Sequence, residues 1–207
     1  MPNEKNIPES KDLRTGHLRI TEPSEWLVRF ARLIPENGLV LDLAAGGGRH
    51  SRHLLSLGYR VVAIDQVADP LEWLTAESNS ECVISDLETN PAPFQAGGVL
   101  FGRKFDAIIV INYLHRPLMR DLIEALNPGG VLIYETFALG NEKFTRPRNP
   151  DHLLKNEELL QLVQNHLSIV AYESGLIQRG PLPGVKQRIC AVKNLTSDPQ
   201  PYPLFPE

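Results

Sequence analysis

The chain has 207 residues, 42% hydrophobic and 22% charged, with a formal net charge of −4. That length holds one folded domain with a sizeable core, and the acidic balance argues against a globally basic nucleic-acid binder. Two cysteines are too few for a disulfide framework, no apolar run approaches the roughly 20 residues that span a bilayer, and residues 1–20 lack a signal-peptide core, so the expectation is a cytoplasmic protein off the membrane.

Residues 1–21 mix charges and prolines without periodicity and read as a flexible arm. Ser24 is a candidate N-cap for a helix whose Trp26, Leu27, Phe30, Leu33 and Ile34 share one face. Pro35-Glu36-Asn37-Gly38 ends that helix. Residues 39–43, Leu-Val-Leu-Asp-Leu, read as a strand buried on both faces. Small residues then run from Ala44 to Gly48, and a helix marked by Leu54, Leu55 and Leu57 closes at Gly58. A second strand spans 60–65, a short helix holds Leu71, Trp73 and Leu74, and a third strand spans 82–85 before a loop over 90–98. The fourth strand is 105–111, the next helix 118–126, and the fifth strand 131–136 after Asn127-Pro128-Gly129-Gly130. An irregular stretch over 141–150 precedes a helix over 157–166 and strands over 168–173 and 185–192, paired as a hairpin. This alternation predicts an α/β, doubly wound Rossmann-like fold: a seven-stranded, mostly parallel sheet with a C-terminal antiparallel hairpin. The domain spans 22–193 and a proline-rich tail 194–207.

In such a sheet, ligands bind outside the carboxyl ends of the strands. The turn from Ala44 to Gly48 almost lacks side chains, so backbone N–H groups at a helix start can approach a ligand closely. As a dinucleotide fingerprint it is incomplete, because Ser51 stands where the third glycine belongs. Asp65 ends the second strand and can accept both hydroxyl hydrogens of a ribose. Asp86 follows the third strand with apolar Leu87 beside it, a pairing that suits an adenine. Asn112-Tyr113 and Glu135-Thr136 end the fourth and fifth. Each acid singly is also what a turn favours; the set behind one glycine loop argues for a nucleoside site.

The pattern Asp42-x-Ala44-x-Gly46-x-Gly48 resembles motif I of the class I S-adenosylmethionine-dependent methyltransferases. The Pro-Gly-Gly turn before the fifth strand is a further resemblance, which covers residues 35–136 well. It implies S-adenosylmethionine as cofactor, with Gly46 and Gly48 along its methionine portion and Asp65 on the ribose. Asp86 and Leu87 would meet the adenine, and Asn112 would lie near the methyl-bearing sulfur. Asp42, Ala44 and Gln66 complete the implied cofactor-binding set. Alanines at 44 and 45 depart from the commoner glycine and cysteine, but both are small. Residues 112–117, Asn-Tyr-Leu-His-Arg-Pro, look closest to small bacterial methyltransferases of the tellurite-resistance and thiopurine type.

Tyr113 and His115 are the catalytic candidates, able to orient a nucleophile or take its proton; alternatively Tyr113 packs on cofactor and His115 caps the next helix. Arg116, Arg146 and Arg148, with Lys143, form an anion-binding substrate site or stay solvated loop charges. His50 and His53 lie at a metal-compatible spacing, but no acid or cysteine nearby completes a set, so they read as helix-face residues. The expected activity is methyl transfer to a small-molecule acceptor, anionic if the arginines converge. The alternatives are an NAD-binding oxidoreductase, a methyltransferase of macromolecules and a non-catalytic cofactor-binding module.

Overall fold

The computed structural model describes residues 20–194 and residue 202. The arm expected over 1–21 and the tail over 194–207 therefore lie almost wholly outside the described residues. Seven strands form one sheet: β1 (Leu39–Leu43), β2 (Arg60–Asp65), β3 (Ser80–Ile84), β4 (Phe105–Ile111), β5 (Leu126–Phe137), β6 (Ser168–Ile177) and β7 (Gly184–Val192). Their spatial order is β3-β2-β1-β4-β5-β7-β6. The first five run parallel, and β7 lies antiparallel between β5 and β6. The expected fold class is the observed one.

The inner strands alternate between two cores. Leu41 and Leu43 of β1, with Ile108 and Val110 of β4, face one side; Val40, with Ala107 and Ile109, faces the other. Helices α3 (Met119–Ala125) and α4 (Glu158–Val163) cover the first face. Helices α1 (Glu25–Phe30) and α2 (Arg49–Ser56) cover the second. Ser24 caps α1 as its position predicts, its Oγ accepting from the Trp26 N–H at 3.1 Å.

Several boundaries differ from expectation; β6, for one, runs on to Ile177, paired with β7 as far as Gly184. β3 begins at Ser80 rather than 82, because parallel pairing with β2 runs from Val61↔Ser80 to Asp65↔Ile84. β5 begins at Leu126, five residues early: Leu126 pairs with Phe105, and the Asn-Pro-Gly-Gly segment is absorbed as a register shift. There the Lys193 N–H donates to the Gly130 carbonyl at 2.9 Å, so β7 supports the segment from its other side. α4 is shorter than 157–166, with Glu157 at φ 55° before its first turn.

Candidate active site

The crossover after β1 fixes the glycine turn from below. Asp42 is 1% exposed, and its Oδ2 accepts from the Ser51 backbone N–H at 3.0 Å and the Ser51 Oγ–H at 2.6 Å. Ser51, the residue that spoils a dinucleotide fingerprint, therefore ties the start of α2 to the end of β1. Burial pushes the Asp42 carboxyl up to about 6, against the lowering effect of those two bonds. Gly48 has φ +72°, and a Cβ there would lie 2.9 Å from the Trp73 ring. Neither Asp42 nor Gly48 lines the cleft. Expected among the cofactor-binding residues, they lie beneath the turn, Asp42 buried and Gly48 packed against Trp73.

Above the turn opens a cleft of about 1260 Å³, roomier than the few hundred Å³ that hold one small ligand. Ala44, Gly46, Asp65, Gln66, Asp86, Leu87 and Asn112 all line it. Gly46 sits at φ 59°, and its N–H donates to Asp65 Oδ2 at 2.8 Å, while Oδ1 takes the Val67 N–H at 3.1 Å. Each Asp65 oxygen keeps a lone pair for a ligand hydroxyl. Asp86 Oδ1 accepts from the Glu88 N–H at 2.9 Å, beside the buried Leu87. Arg49, at the first position of α2, also lines the cleft and is held by a 2.6 Å bond from its Nη1 to the Glu22 carbonyl. These groups fit a nucleoside with an attached amino acid: diol acceptor, amino acceptor, apolar plate and a cation for a carboxylate.

At the top of β4, Asn112 has the left-handed φ of 61° and donates its N–H to the Glu135 carbonyl at 2.7 Å. Its Oδ1 accepts from Lys186 Nζ at 2.9 Å. Lys186 is 3% exposed and also donates to Glu135 Oε1 at 2.6 Å. The other Glu135 oxygen takes the Ser24 Oγ–H at 2.8 Å. Burial holds the Lys186 ammonium below its ordinary range, opposed by the Glu135 carboxylate. The sequence reading missed Lys186. The available signal was Glu135, an acid inside an otherwise apolar strand that requires a buried cation.

The remaining candidates separate. Tyr113 lines the cleft, its hydroxyl 3.4 Å from Glu88 Oε1. Burial, then the charge of Glu88, raises its phenol. His115 does not line the cleft; its Nδ1 is 3.8 Å from Glu88 Oε2. Arg116 does not line it either: it donates to both Glu158 oxygens at 2.6 and 2.9 Å and to the carbonyls of Asp151 and Leu153. Expected as a substrate residue, it instead clamps the start of α4 to the preceding loop, because its donors are spent there.

Arg146 and Arg148 do line the cleft, and neither is hydrogen-bonded or ion-paired to any described residue. Their loop is fixed by Asn141, which is fully buried: its Nδ2 donates to the Pro147 carbonyl at 3.0 Å, and its Oδ1 accepts from the Val185 N–H at 3.1 Å. Lys143, in the same loop, does not line the cleft. His50 is buried at the cleft wall with Nε2 unpartnered, and burial, with Arg49 nearby, drives its imidazole well below its ordinary range. The helix-face reading of His50 did not anticipate that burial.

Comparison with known proteins agrees with this arrangement. Residues 41–134 match a family described as "Methyltransferase domain". Malonyl-[acyl-carrier protein] O-methyltransferase of Yersinia pestis is 29% identical over 104 residues, 50% of this chain and 38% of its own length. The chain spans less than half the length of the curated relatives it matches. TehB from Haemophilus influenzae superposes with a TM-score of 0.67 at 19% identity, covering 89% of this chain and 67% of TehB. The N-methyltransferase NodS of Bradyrhizobium japonicum WM9, in complex with S-adenosyl-L-homocysteine, superposes at 0.58 with 14% identity, covering 88% and 87% of the two chains. Over residues 41–134 the chain is thus similar to a methyltransferase domain, and it shares its fold with solved methyltransferases.

Proposed function

We propose that the protein transfers the methyl group of S-adenosylmethionine to a small anionic acceptor. The observation that carries the reading is the cleft wall on which Gly46, Asp65 and the Asp86-Leu87 pair stand together behind the glycine turn. Asp65 accepts the ribose hydroxyls, Leu87 supports the adenine and Asp86 accepts from its amino group. Arg49 takes the methionine carboxylate. NodS was solved with S-adenosyl-L-homocysteine, the demethylated form of that cofactor, which supports the assignment.

The sulfonium supplies an already activated methyl group, so the protein's work is alignment and exclusion of water. Asn112, pinned through Lys186 and the Glu135 carbonyl, fixes the wall where the acceptor meets the methyl. Arg146 and Arg148 hold the acceptor's anionic group from the opposite loop, and Asn141 keeps that loop in place. Tyr113 borders the reacting space as a neutral phenol.

The test is calorimetric titration of the protein with S-adenosyl-L-homocysteine and, separately, NADH. Micromolar binding of the first and none of the second is expected. Binding of NADH alone would replace this reading with that of an oxidoreductase.

A further inference from the structure

We propose that the methylated atom is a carboxylate oxygen, in a small acid whose second anionic group is held by Arg146 and Arg148. The inference rests on the methyltransferase reading above and narrows its acceptor. It begins at Asn112. Lys186 Nζ can only donate, so the amide atom it meets at 2.9 Å must be Oδ1. The amide orientation is thereby fixed, and Nδ2, which has no partner among the described residues, is the group left to the cleft wall. That wall therefore offers an amide donor suited to an anionic oxygen, its orientation fixed by a lysine whose charge Glu135 balances.

The groups beside Asn112 are poorly equipped to strip a proton, since Asp65 and Asp86 are committed to the cofactor in the reading above and Glu88 faces Tyr113 and His115. Tyr113 is a phenol raised by burial and by the charges of Glu88, Asp86 and Asp65, its hydroxyl directed to Glu88. His50 is enclosed, and the neighbouring cations Arg49, Lys186 and, when charged, His53 oppose its protonation. An alcohol acceptor must give up a proton to such a base; a carboxylate is already ionised and need not. The acceptor oxygen forms its bond to the methyl carbon as the carbon–sulfur bond breaks. The electron pair of that bond stays on sulfur, leaving a neutral thioether and a methyl ester with no proton to remove. The guanidiniums of Arg146 and Arg148, unpaired among the described residues, supply fork-shaped donors for the second anionic group.

The experiment has two arms, using malonate, succinate and glutarate as probes. In the first, protein saturated with S-adenosyl-L-homocysteine is titrated calorimetrically with each. At least one is expected to bind, and the Arg146→Ala, Arg148→Ala double variant to weaken it at least tenfold. In the second, methyl-tritiated S-adenosylmethionine is supplied with the same acids, with amine and phenol controls, and the product is treated with base. Label released as volatile methanol, at a rate flat from pH 6 to pH 8.5, is expected. Failure of all three acids to bind overturns the proposal, as does binding without base-labile label. Base-stable label on a control does so too. Saturation with S-adenosyl-L-homocysteine is scored separately, so loss of the cofactor reading is not confused with loss of this one.

Discussion

The two walls of the cleft are built on opposite principles. On the wall proposed for the cofactor the acids are tied within the motif segments themselves: Asp65 to Val67 and to Gly46, Asp86 to Glu88, with Asp42 holding Ser51 beneath the turn, while Arg49 reaches back to Glu22. The acceptor wall is held across the whole chain. Lys186 reaches Asn112 and Glu135, Glu135 reaches Ser24, and Asn141 reaches Val185. A wall made of local turns keeps its shape wherever the motif is kept. A wall made of distant contacts can be re-tuned by one substitution far from the ligand, the better arrangement for a surface that must differ between substrates.

The sharpest way to break that contrast is to cut the long-range wall at its centre. Lys186→Met leaves Glu135 buried without a cation and should cost about 3–5 kcal/mol of stability in urea unfolding. Pairing it with Glu135→Leu should recover part of that, and a single variant as stable as wild type would dissolve the contrast. On the local wall, Gly46→Val places a β-branched residue at φ 59° and fills the approach to the ligand. Affinity for S-adenosyl-L-homocysteine should fall by about 100-fold, or roughly 2.8 kcal/mol, in a folded protein followed by circular dichroism. Asp65→Ala should cost about 1.5–3 kcal/mol of cofactor binding, the scale of a lost charged hydrogen bond; an unchanged calorimetric constant would remove it from the ribose.

A smaller effect sharpens the split among the arginines. Arg116→Ala should lower stability by about 1–2 kcal/mol through its lost charged bonds to Glu158 while leaving cofactor affinity unchanged. The Arg146→Ala, Arg148→Ala variant should leave stability unchanged, melting like wild type. The smallest effect is a slope. Burial holds the Asp42 carboxyl up at about 6 in the fold, above the ordinary aspartate value of 3.8. Its contribution to stability is therefore complete below the unfolded value and is lost as pH rises through the folded one. Melting curves of wild type and Asp42→Asn should diverge between pH 4 and pH 7, the asparagine variant gaining relative to wild type; parallel curves would count against a buried, strained carboxylate.

Legibility in the sequence follows the same division. β1, β2 and β4 appear at the bounds their apolar runs predict, because both faces of an inner strand are buried and nothing competes with that pattern. Asp65, Asp86 and Leu87 are readable because a strand end and a turn place them by spacing alone. β5 is read short because proline and two glycines signal a turn, whereas pairing on both sides carries the strand through them. Lys186 reads as an alternating polar residue of a C-terminal strand, and only the neighbouring β5 turns it inward. Arg116 and Arg146 look alike in sequence. They part company because Glu158, 42 residues beyond Arg116, claims one and no described residue claims the other.

The position of β7 has a consequence for biosynthesis. β6 is made before β7 yet lies outside it, so the edge of the sheet at β5 stays open until translation has passed Val192. Until then Glu135 has no ammonium partner, and Asn112 keeps only its N–H bond to the Glu135 carbonyl. The nascent polypeptide can assemble the glycine turn and its acids on β1, β2 and β4 while still on the ribosome. The acceptor wall is assembled last, in one step, when the returning strand is inserted. Premature termination anywhere before Lys186 would thus release a protein that keeps the wall proposed for the cofactor and lacks the contacts that hold the wall proposed for the acceptor.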